Sequence, residues 1–70
     1  MTAPNVRAAR QALGLSLQGL ADLLLIQDRQ TVRRYEAGTR EPGGPFLVAL
    51  AYLCRERGLD PADYGLTIPA

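Results

Sequence analysis

Residues 16–42, SLQGLADLLLIQDRQTVRRYEAGTREP, read as two short helices joined by a turn. Successive helical residues lie about 100° apart. Taking Arg29 as zero puts Arg33 at about 40°, Gln30 at about 100° and Arg34 at about 140°, while Tyr35 and Val32 fall at about 240° and 300°. One side of the second helix packs and the other is offered to a partner. Arginine and glutamine are the side chains that reach guanine and adenine edges in the major groove, and arginine also clamps phosphates. The stretch therefore predicts a helix that reads DNA.

Each helix has a start and a stop written beside it. Ser16 caps a helix whose Leu17, Leu20, Ala21 and Leu24 share a face, and Gly19 denies it the Glu of a capping box. Leu25, Ile26 and Gln27 make the turn, with Ile26 directed inward, and Asp28 caps the next helix while placing a negative charge at its positive end. Gly38 stops that helix. On the N-terminal side, Asn5 caps a first helix with Val6, Ala9 and Leu13 on one face, closed by Gly14 in the left-handed conformation. On the C-terminal side, residues 39–45 form a Gly- and Pro-rich loop, and 46–57 are apolar nearly all round, as a central helix would be. Gly58 closes it. Asp60 and Pro61 then start a short fifth helix, followed by a tail carrying Tyr64, Leu66 and Ile68.

The predicted fold is thus all-α, a compact bundle of four to five short helices in one domain spanning 1–70. Residues 1–4 are expected to be flexible, and 59–70 form a candidate dimerisation segment. Seventy residues lie near the size where a single core is marginal and a partner subunit would help. No signal peptide is visible, and LADLLLI is too short and too interrupted by Asp22 to span a bilayer, so a cytoplasmic location is expected. Cys54 has no second cysteine to pair with and sits among Leu50, Ala51 and Leu53, which reads as a buried small hydrophobe.

Net charge is only +1, but its distribution is uneven. Residues 1–40 hold six arginines against Asp22, Asp28 and Glu36, a net of +3, whereas 41–70 hold Arg55 and Arg57 against Glu41, Glu56, Asp60 and Asp63, a net of −2. A molecule with one basic end docks that end on phosphate. Lysine is absent, so every side-chain cation is a planar fork suited to bidentate contacts. The chain has no histidine, no metal-ligand cluster, no phosphate-binding glycine loop and no nucleophile beside a base, so a binding module without cofactor or metal is expected rather than an enzyme.

The ordered set Leu15, Ser16, Leu20, Ala21, Leu24, Ile26, then Thr31, Val32, Tyr35, Glu36, Gly38 and Pro42 resembles the Cro/C1 type of helix-turn-helix, the XRE family of bacterial and phage regulators. The resemblance covers about residues 5 to 57. Three positions depart from it. Leu17 stands where the family often has a phosphate-touching glutamine, Leu25 where the turn usually has glycine, and one residue is inserted between Leu24 and Thr31. The last two leave the register of the reading helix open.

The resemblance implies a sequence-specific regulator of double-stranded DNA, a repressor acting as a homodimer on a palindromic operator. Within it, Arg29, Gln30 and Arg33 would touch base edges, with Arg34, Arg40, Thr31, Gln18 and Ser16 on phosphate. Arg10, late in the first helix, would pair with Glu36 at the end of the third. The apolar tail either folds back on the fourth helix or covers a neighbouring subunit, and Leu59, Tyr64, Leu66 and Ile68 are the expected dimer contacts. The alternative function is an antitoxin-like or adaptor subunit that holds a cognate toxin or other protein, with DNA binding secondary.

Overall fold

The computed structural model describes residues 4–68, so most of the 1–4 segment expected to be flexible lies outside the described residues. Four α-helices follow in order, α1 (Val6–Ala12), α2 (Leu17–Leu23), α3 (Arg29–Ala37) and α4 (Gly44–Glu56), then a 3₁₀ helix (Pro61–Tyr64). No strand occurs among the described residues. The chain is all-α, as its periodicity predicts.

Local chemistry sets the helix ends. The side chains of Asn5, Ser16, Asp28 and Asp60 each accept a backbone N–H from the first turn of the helix that follows, at 2.8–3.0 Å. Each such cap satisfies one of the donors a helix leaves unpaired, and removing one costs about 1 kcal/mol. Helix α4 begins at Gly44, two residues before the position expected from its apolar pattern. Pro45 is responsible: its fixed φ suits a first turn, where its missing N–H has no partner to lose.

The core draws on all four α-helices. Val6 and Ala9 from α1, Leu20 and Ala21 from α2, Val32 from α3, and Leu50, Ala51 and Cys54 from α4 are all buried. Tyr35 and Phe46 seal α3 against the start of α4, with ring centroids 4.7 Å apart and planes tilted by 58°, a favourable aromatic arrangement. Helix α4 is central but not fully enclosed: Tyr52 is about half exposed, and Phe46, Leu47 and Leu53 are half-buried. A chain this short has too few neighbours to surround a thirteen-residue helix.

The tail folds back on its own chain. The 3₁₀ helix packs against α1 and α4, the Asn5 N–H donates to the Tyr64 carbonyl at 2.8 Å, and Leu66 is 2 % exposed. Leu66 is therefore a core residue of the single chain, which corrects its assignment as a dimer contact. Leu59, Tyr64 and Ile68 remain half-buried beside it.

Candidate nucleic-acid interface

The two central helices are joined by a turn built around a leucine. Leu24 ends α2, and Leu25 adopts φ 57°, the left-handed conformation that favours glycine. Its N–H donates to the Asp22 carbonyl at 3.3 Å, and the next N–H, from Ile26, donates to Ala21 at 2.8 Å. These are the paired closing bonds of a helix that ends in a left-handed residue. Leu25 gains no burial for its backbone strain, being 91 % exposed. Ile26 beside it is half-buried against the core. The extra residue in the turn is absorbed before the Asp28 cap, so α3 starts at Arg29 with the register that its sequence pattern predicts.

That register determines which side chains meet. Ser16, Leu17 and Gln18 at the start of α2 face Arg29, Gln30 and Arg33 on α3 across an open cleft of about 550 Å³. The three α3 side chains are exposed and make no ion pair; among the described residues the one salt bridge is Arg10 with Glu36. Three forked or amide donors on one helix face thus stand unpartnered in a concave surface. Thr31 lies apart from them. It is half-buried and borders a separate apolar groove with Leu24, Ile26, Tyr35 and Phe46.

The flanking candidates differ in what they have left to offer. Ser16 Oγ accepts the Gly19 N–H at 2.9 Å and keeps its own hydrogen free to donate. A Cβ at Gly19 would approach Ser16 Oγ to 3.2 Å, so the glycine leaves that hydroxyl room. Gln18 donates one amide hydrogen to Asp22 Oδ1 at 2.9 Å and retains the other. Arg34 and Arg40 are exposed outside the cleft lining, Arg34 on the flank of α3 and Arg40 in the loop after it.

Behind the cleft, Arg10 holds the two helices in place. Its Nε and Nη2 donate to the two carboxylate oxygens of Glu36 at 2.7 and 3.1 Å, while Nη1 donates to the Leu15 carbonyl at 2.9 Å. The hydrogen bond to Glu36, opposed by partial desolvation and aided by the carboxylate charge, raises the guanidinium above its already high ordinary value. Arg10 is thereby committed to structure and is not a free cation of the cleft. The bond to Leu15 was not legible in the sequence, because a side chain reaching a main-chain carbonyl leaves no residue pattern. Leu17 was legible in part: a helical wheel of α2 places it with the core, the family resemblance puts its position beside phosphate, and the structure shows that it lines the cleft with Arg29, Gln30 and Arg33.

No described helix is long and apolar enough to cross a membrane. Neither a curated protein nor a solved structure matches the chain. A family model described as helix-turn-helix matches residues 6–55, the span that contains α1 to α4 almost entirely and both walls of the cleft. The chain accordingly belongs to the Cro/C1-type (XRE) helix-turn-helix family of DNA-binding transcription regulators.

Proposed function

We propose that this protein is a sequence-specific regulator that binds double-stranded DNA as a homodimer, each copy reading half of a two-fold symmetric operator and repressing transcription there. The observation that carries this reading is the cleft in which Arg29, Gln30 and Arg33 present unpartnered donors beside the capped start of α2. In that role the three reach base edges, and Arg34, Arg40, Gln18 and the Ser16 hydroxyl hold phosphates on either side. Phosphate contacts set position, and base contacts set sequence.

Dimerisation follows from affinity. One copy offers one reading helix and few cations, so two half-sites about one helical turn apart are needed for tight binding. The half-buried Leu59, Tyr64 and Ile68 supply apolar surface for the pairing, and an open, mainly apolar groove of about 480 Å³ beside Leu47, Val48 and Ile68 extends it. A two-fold partner presenting the same patch covers both at once.

Selection from a random duplex library with the purified full-length chain tests this. The expected result is an enriched site with two-fold symmetry, bound by two copies in sedimentation. Recovery of no preferred sequence would overturn the DNA reading, and a monomer on an asymmetric site would overturn the dimer alone.

A further inference from the structure

Leu17 is the one apolar side chain lining a cleft otherwise walled by polar and charged residues. It is half-buried at the first position of α2, resting on the core at one edge and open to the cleft at the other. Across from it stand Arg29, Gln30 and Arg33, whose donors are free. Arg10, which touches the same cleft, is consumed by Glu36 and Leu15, and Gln18 is partly consumed by Asp22.

In the major groove, guanine offers acceptors for arginine and adenine offers the acceptor and donor pair that glutamine matches. The one apolar feature on any base edge there is a methyl group at C5 of a pyrimidine. An apolar side chain that shares a cleft with Arg29, Gln30 and Arg33 has that methyl as its complement, while Ser16 and Gln18 beside it are left to the phosphates. We infer that Leu17 seats the C5-methyl of a pyrimidine in each half-site, next to the bases read by α3, and so determines sequence at a position no hydrogen-bonding side chain covers. This rests on the reading of the cleft as a DNA interface. Thymine carries the methyl in ordinary DNA, and 5-methylcytosine carries the same group.

The test uses the site recovered by library selection, resynthesised with deoxyuridine in place of each thymine in turn. Uracil keeps the pairing edge and removes only the methyl. Replacement at one position per half-site is expected to weaken binding roughly three- to fivefold, as loss of one buried methyl-sized group does, with other thymines indifferent. Leu17→Gln and Leu17→Ala are expected to bind the thymine and uracil duplexes equally. Glutamine approximates the volume of leucine, so it preserves the comparison if the alanine variant melts early. Methylating a cytosine placed at the sensitive position is expected to recover a similar factor, and a gain from thymine alone would assign the contact to thymine while keeping it.

Uracil indifference at every position overturns the inference, as does a variant that loses the same factor as the parent. Either result would leave Leu17 as packing or as a sugar contact. An absence of any selected sequence would instead remove the DNA interface itself, and this inference with it.

Discussion

The Arg10 guanidinium and the Glu36 carboxylate meet edge to edge, two parallel hydrogen bonds joining the end of α1 to the end of α3. The side chains are 15 % and 9 % exposed. Bidentate geometry and partial burial set this pair apart from a surface contact. Removing one partner of such a pair strands the other charge, at a cost of roughly 3 to 5 kcal/mol for full burial.

Glu36→Ala is therefore expected to lower the melting temperature clearly. Adding Arg10→Met recovers much of the loss but not all, because the Leu15 carbonyl then loses the donor that Arg10 supplied. Thermal unfolding of the single and double variants measures both effects. A Glu36→Ala protein that melts like the parent would show the pair to be worth little.

Replacing Arg29 or Arg33 by Ala is expected to cost about 1 to 3 kcal/mol on the selected site and to relax preference at one base position. Binding to a random duplex should fall less. Arg34→Ala should weaken both duplexes alike and reduce the salt dependence by about one phosphate contact. Titrations of each variant on both duplexes at several salt concentrations separate these roles, and equal losses for Arg29→Ala on both would move that residue to phosphate.

Leu25→Gly is expected to stabilise the fold by about 1 kcal/mol. The left-handed conformation at φ 57° costs a leucine roughly that much more than a glycine, and a side chain 91 % exposed gives up almost no burial. Denaturant unfolding checks the sign. Destabilisation would mean that the relief of backbone strain at Leu25 is smaller than the unfolded-state entropy that glycine adds.

Burial pushes the Cys54 thiol above its ordinary value of 9.0, because the thiolate would lack solvation. The folded chain then keeps a proton that the unfolded chain has released. This contribution to stability is fully present below the unfolded value and is lost as pH rises from there toward the folded one, at about 1.4 kcal/mol per pH unit. Comparing unfolding free energies between pH 8 and 10 for the parent and Cys54→Ala isolates the effect. A parent curve no steeper than that of the variant would contradict it.

Helix placement was legible because each start and stop is a local event: Asn5, Ser16, Asp28 and Asp60 cap within three residues, and Gly38 and Gly58 turn left-handed where the apolar spacing ends. The α3 face was legible for the same reason, since a 3.6-residue period separates Arg29 and Arg33 from Val32 and Tyr35. What depended on distant partners was not. The start of α4 turned on Pro45 behaving as a first-turn residue rather than a breaker. The fate of Leu66 depended on whether the tail met its own α1, and the helical wheel of α2 shows only the core side of Leu17, whose place opposite Arg29, Gln30 and Arg33 depends on how α3 packs.

The bond from the Asn5 N–H to the Tyr64 carbonyl clasps the two ends of the described chain, whereas α2 and α3 are neighbours in sequence. Closing a short loop costs less entropy and happens sooner than joining residues 5 and 64. The expected order of assembly follows: the helix pair that forms the cleft gathers early, and the core stays open at one end until Leu66 arrives. The clasp is also expected to be the first part to come apart, so amide exchange at Asn5 should report a partial opening that leaves the α2–α3 pair standing.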